Sequence, residues 1–253
     1  MHACATMQAV MPFMHVNICM AHLIIWNHPP HYNAGVTTYR PLGAHKIAGW
    51  LRQQGYSVKV IDFAGCMTTD QLVKITARHL DRETVAVGTS NTFWPNHDGN
   101  MQPGEASSEI PQWVVQARSE VSDRWPRLKW IMGGTRTIEY DLTGWIGFEG
   151  NAEDSLLSWL DSQAGTTRVR PQFDILHSCG PTFSDDDHIS SSEVIPIELG
   201  RGCMFNCKFC GYTQIGKQPG TYLRDLQSLR AEILDIHQRW GVTRFYYLSL
   251  IHI

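Results

Sequence analysis

Between residues 21 and 160 the chain alternates between two spacings of apolar residues. The runs HLIIWN (22–27), SVKVIDF (57–63), TVAVGTS (84–90) and LKWIMGG (128–134) carry the pattern of strands buried in a sheet. Between them lie PLGAHKIAGWLRQQG (41–55), TTDQLVKITARHL (68–80) and EIPQWVVQARSEV (109–121). Their apolar residues fall three and four apart, the period of a helix with one buried face. In the first, Leu42, Ile47, Trp50 and Leu51 share that face and Gly55 supplies a stop. The second opens on a Thr/Asp cap signal. GWIGFEG (144–150) predicts a short strand and AEDSLLSWLD (152–161) a helix.

Strands separated by helices predict an α/β fold, a doubly wound, Rossmann-like parallel sheet with helices on both faces. Ligands of such sheets lie beyond the carboxyl ends of the strands. Those ends are 28–35, 64–67, 90–104, 133–136 and 149–151. The connection 91–108 is long for a compact domain, and long connections often carry function.

Over 163–193 the periodicity fades. SQAGTTRVRP and SDDDHISSSE predict a linker, with a short strand near 172–176 and the acidic run 185–187 as a solvated turn. A second unit opens at Val194. VIPIELG (194–200) reads as a strand and TRFYYL (243–248) as another. The helix between them, RDLQSLRAEILDIHQRWG (224–241), carries an apolar stripe of Leu226, Leu229, Ile233, Ile236 and Trp240 and stops at Gly241. The expected organisation is a leader of uncertain status over 1–20, an α/β unit over 21–163, a linker over 164–193 and a second α/β unit over 194–253. Two parallel strands cannot bury both faces of a sheet, so the second unit reads as the opening of a barrel or half-barrel. The last residues, LSLIHI, resemble a translated sequencing adapter, which sets the expectation that the natural chain continues past Leu248 with other residues.

Composition narrows the classes. With 253 residues, 43% of them hydrophobic, the chain can bury a full core. Charged residues are 18% and the net charge is −3, so nucleic-acid binding is not indicated. The most apolar stretch, 18–26, is interrupted by His22 and too short for a membrane span. Residues 1–20 lack a basic start followed by an apolar core, so no secretory signal is expected. Of seven cysteines, Cys4, Cys19, Cys66 and Cys179 are isolated and three are clustered. That distribution does not suit a disulfide framework and predicts a reducing, cytoplasmic setting.

The cluster is the chemical signal. ELGRGCMFNCKFCG (198–211) spaces Cys203, Cys207 and Cys210 as C-x3-C-x2-C, directly after a predicted strand, and no fourth cysteine follows. Structural zinc closes its shell with four ligands. Cubane iron–sulfur clusters are commonly held by four cysteines. Three thiols leave one metal position open, which is what a reactive centre needs. Gly202 and Gly211 flank the motif and allow close approach of the backbone to a bound group. The alternative is a zinc-binding interaction module that draws a fourth ligand from His177, Cys179 or His188. Iron with acid-labile sulfide, against zinc, separates the two.

With Phe209 just before the last cysteine, the segment resembles the radical S-adenosylmethionine (SAM) superfamily, whose motif is C-x3-C-x-aromatic-C. IELGRGC is similar to the lead-in of members that carry an N-terminal cobalamin-binding domain. GFEGNAEDSLLSWL resembles the end of that domain, and LKWIMGG the strand before it. The resemblance implies a cobalamin-binding-like domain over 21–163 and the N-terminal part of a radical SAM core over 194–253. It implies a [4Fe–4S] cluster on Cys203, Cys207 and Cys210, with SAM on the remaining iron beside Phe209 and Gly211. An electron from a donor such as flavodoxin or ferredoxin would then cleave SAM to methionine and a 5′-deoxyadenosyl radical that attacks an unknown substrate, or the enzyme would transfer a methyl group. Cobalamin is a further cofactor that the resemblance leaves open. Domains that ligate cobalt through histidine carry Asp-x-His-x-x-Gly after the first strand. Here NHPPHYNAG offers His28 and His31 with no preceding Asp and a different spacing to Gly35, so histidine ligation is not expected. No G-x-G-x-x-G follows the first strand, which argues against a dinucleotide. Catalytic residues beyond the three thiols are not legible.

Overall fold

A computed structural model describes residues 22–28, 39–91, 94, 110–134, 137, 140–167, 182–200 and 223–248. The elements run β1 (His22–Asn27), α1 (Leu42–Gln53), β2 (Val58–Asp62), α2 (Thr69–His79), β3 (Thr84–Ser90), α3 (Gln112–Arg124), β4 (Lys129–Gly134), β5 (Ile146–Glu149), α4 (Glu153–Gln163), β6 (Val194–Glu198), α5 (Leu226–Trp240) and β7 (Arg244–Leu248). The first five strands form one parallel sheet in the order β2-β1-β3-β4-β5. β6 and β7 form a second, two-stranded parallel sheet. The α/β fold expected from the strand–helix alternation is the fold observed.

Alternation along β1 builds two cores. Leu23 and Ile25 face α1 and α4, where Ala48, Leu51, Leu156, Leu157 and Leu160 close over them. Ile24 and Trp26 face α2 and α3, where Leu72, Val73, Val114, Ala117 and Val121 do the same. Each fully buried aliphatic side chain contributes roughly 1.5–3 kcal/mol relative to exposure. Glycine is required at Gly88, because a Cβ there would lie 2.6 Å from Ile131 Cγ1 on the neighbouring strand. The cap signal at Thr68 is realised as a capping box with Gln71.

A third core joins α5, β6 and β7 to Phe183, Ile189 and, from the first unit, Leu42. The N-terminal turn of α1 therefore packs on both units. Gly241 ends α5 with φ 69° and donates its N–H to the His237 carbonyl at 2.8 Å.

Three expectations are corrected. The acidic run is a short 3-10 turn whose third residue, Asp187, is buried, because two cations of α1 reach it; Asp185 and Asp186 are exposed as expected. Leu226 is 81% exposed, and the core-facing residues of α5 begin at Leu229. α3 starts three residues later than the periodicity suggested, because Pro111 holds the preceding Ile110 out of the helix. The expected leader 1–20 and the strand near 172–176 lie outside the described residues.

Candidate functional site

The sheet order reverses between β1 and β3, so a crevice opens at their carboxyl ends. Asn27, Asp62, Ser90 and Gly134 end the strands that border it. His28 follows β1, is 2% exposed and stacks obliquely on Trp113 at 5.5 Å. A Cβ on Gly65 would lie 2.0 Å from His28 Nδ1, so the glycine is what admits the ring. The imidazole is packed as part of the wall of the crevice. His31 lies outside the described residues.

Beyond β3 the wall is polar. The Asn91 N–H donates to the Gly133 carbonyl at 2.9 Å, and its side-chain amide donates to Thr137 Oγ1 at 3.3 Å. Thr137 in turn donates to the Gly134 carbonyl at 2.9 Å. Trp94 is fully buried and meets Tyr140 edge-on at 5.1 Å. Three buried atoms here, Thr89 Oγ1, Asn91 Oδ1 and Trp94 Nε1, have no hydrogen-bond partner among the described residues. Unpaired buried polar atoms cost about 1–3 kcal/mol each, so their grouping suits a bound polar ligand.

The carboxyl ends of β1 and β2 are also tied to the segment before β6, by a buried charge cluster. Arg40 pairs with Asp62 at 2.5 Å and with Glu193 at 2.6 Å, and donates to the Asp187 carbonyl at 2.8 Å. His45 Nε2 lies 3.0 Å from Asp62 Oδ1, and His45 Nδ1 lies 3.6 Å from Asp187 Oδ2, close enough for charge attraction but too far for a hydrogen bond. Arg52 completes the set on Asp187. Burial pushes the His45 pKa down, yet Asp62 and Asp187 outweigh it and hold the value above 6.5. Burial likewise raises Asp62 and Asp187, and their cationic neighbours reverse it and hold both carboxyls below the ordinary range. Two arginines and an imidazolium thus face three carboxylates.

Cys203, Cys207, Cys210, Phe209 and Gly211 lie outside the described residues, as do His177 and Cys179. The described residues on either side form a closed stem. The Leu199 N–H donates to the Leu248 carbonyl at 2.9 Å, and the Arg224 N–H donates to the Leu199 carbonyl at 2.8 Å. Arg224 Nη1 also reaches the Glu198 carbonyl at 3.1 Å and Glu232 at 2.5 Å. His188 is exposed and its carbonyl accepts from Arg40, so it is placed by its backbone. Among the described residues no group of three histidine, cysteine or acidic side chains is arranged to hold a metal. Sequence reading missed Arg40, His45, Lys46, Asp62 and Glu232. The available signal was a His–Lys pair at 45–46 inside an otherwise apolar helical stretch.

The fold is shared with solved structures, one of which is an enzyme. It is OxsB, a cobalamin-dependent S-adenosylmethionine radical enzyme whose structure holds aqua-cobalamin and S-adenosylmethionine. The TM-score is 0.59 at 13% sequence identity, over 91% of this chain and 34% of OxsB. The chain therefore spans about a third of the length of OxsB, and the likeness is one of fold. No family model and no curated protein matches the chain. Among the described residues no helix is long and apolar enough to cross a membrane.

Proposed function

We propose that this chain is part of a radical SAM enzyme whose N-terminal unit is of the cobalamin-binding type. The observation that carries this reading is the C-x3-C-x2-C spacing of Cys203, Cys207 and Cys210 between β6 and α5, the first strand and helix of a parallel β–α–β unit. The shared fold with a radical SAM enzyme supports it. Three thiolates suit a [4Fe–4S] cluster with one open iron, the position at which SAM binds, with Phe209 and Gly211 beside it. When bound, that cluster supplies the single electron for reductive cleavage of SAM. The substrate is unknown, and methyl transfer is one outcome the fold can host. The electron would come from a donor such as flavodoxin or ferredoxin, and a reducing cytoplasm suits an oxygen-sensitive cluster. The polar group at Thr89, Asn91 and Trp94 suits a ligand at the carboxyl edge of the first sheet, and these are residues that would line a cobalamin site there.

Metal and sulfide analysis of the anaerobically reconstituted chain tests the reading. Iron and acid-labile sulfide at about four each per chain, lost in a Cys203/Cys207/Cys210→Ala variant, are expected. Zinc without sulfide would replace it with the zinc-module reading.

A further inference from the structure

Glu232 on α5 is buried, and everything that touches its carboxylate is buried with it. Lys46 Nζ from α1 donates to both oxygens, at 2.9 and 3.1 Å. Arg224 Nη1 donates to Oε2, and the Thr182 hydroxyl donates to Oε1. Lys46 lies 186 residues away in sequence, so the contact joins the first unit to the second. Burial raises the Glu232 pKa, but the two cations reverse this and hold the carboxyl low. Burial lowers Lys46, an effect that Glu232 offsets only in part and Arg224 adds to.

Arg224 is the residue that leads from the cysteine segment into α5. Its backbone N–H donates to the Leu199 carbonyl and its guanidinium to the Glu198 carbonyl, so the described residues on both sides of 201–222 meet at one residue. A guanidinium has a fixed fork of donors, whereas an ammonium is a point charge. Both bonds are made by one nitrogen, Nη1, at the tip of the Arg224 side chain, which reaches Glu232 and the Glu198 carbonyl together. Apolar side chains of similar volume commonly stabilise as well as a buried ion set does. What the ion set adds is a specified geometry.

We propose that Glu232, bridging Lys46 and Arg224, is a positioning residue that fixes the stem of the three-cysteine segment to helix α1. For the cluster this rests on the radical SAM reading; for the stem it stands on the geometry alone. The N-terminal unit thereby holds the described residues on both sides of the segment, Leu199 and Arg224. Lys46→Met is the informative variant, because it keeps the long stem and leaves the Glu232–Arg224 pair in place. Arg224→Lys keeps a charge but is shorter than the guanidinium, so its ammonium does not reach both Glu232 and the Glu198 carbonyl.

Hydrogen exchange of the apo chain is measured first, without any cluster. In Lys46→Met, peptides covering 196–200 and 223–226 are expected to exchange roughly tenfold faster, while β3 and β4 are unchanged. The reconstituted variant is expected to keep its iron and sulfide but to show an altered electron paramagnetic resonance spectrum with SAM bound. Arg224→Lys is expected to speed exchange at 196–200 as well. Unchanged stem exchange in both variants would overturn the proposal, as would equal acceleration in β3 and β4. A wild-type chain that takes up no iron overturns the radical SAM reading while the exchange result still decides the stem.

Discussion

Arg52 grips Asp187 with two parallel hydrogen bonds, 2.8 and 2.9 Å long, across 135 residues of chain. The pair fastens α1 to the segment that leads into β6. Asp187 also lies beside the imidazolium of His45, so it answers two cations at once. Removing one partner of a buried ion pair leaves a charge uncompensated. Asp187→Asn is therefore expected to cost about 3 kcal/mol in urea unfolding. The adjacent, exposed Asp186→Asn is expected to stay within about 0.5 kcal/mol. Equal effects at the two positions would show that the buried pair carries no special weight.

The same cluster gives a pH signature with two arms. The folded pKa of His45 lies above 6.5, so its stabilisation is complete below 6.5 and is lost as pH rises through the folded value. Asp62 and Asp187 are depressed in the fold, so their stabilisation is present above the ordinary 3.8 and is lost as pH falls. Stability against unfolding should therefore be greatest between these values and fall on either side. His22 runs the other way, because burial, partly offset by Asp81, lowers its pKa. His45→Gln isolates the effect: the alkaline arm should flatten while the acid arm remains. An unchanged alkaline arm would mean that His45 is not protonated in the fold.

Gly65 and His28 form a close pair at the crevice. Gly65→Ala places a methyl group on the imidazole and is expected to cost about 1–3 kcal/mol. In a His28→Ala background the same change should cost under about 1 kcal/mol, because the methyl then occupies vacated space. A double-mutant cycle by thermal or urea unfolding reads the coupling. Additive effects would contradict the packing described.

Most of the fold was legible because the chain is consistent at short range. β1 and β3 fall on the residues their apolar runs marked, 22–27 and 84–90, and Gly241 stops α5 as its position in the pattern required. The charge clusters were not legible, for a physical reason. Asp187 looks like any residue of an acidic turn, and only Arg52 and His45, brought in by the tertiary fold, make it a buried anion. Lys46 and Glu232 each sit in an amphipathic helix where a single charge ordinarily faces solvent. The three cysteines stand out by their C-x3-C-x2-C spacing and lie outside the described residues. The unpaired atoms of Thr89, Asn91 and Trp94 came only with the fold, since a burial defect leaves no periodic trace.

The central claim is that three cysteines hold a cluster whose fourth iron is open to SAM. Electron paramagnetic resonance of the reduced, reconstituted chain, recorded before and after addition of SAM, tests it most directly. The account predicts a cubane [4Fe–4S] signal that SAM shifts, and no such signal in the Cys203/Cys207/Cys210→Ala variant. A cubane signal that SAM leaves unchanged would contradict the open site, and a wild-type chain that binds zinc without sulfide would contradict the cluster itself.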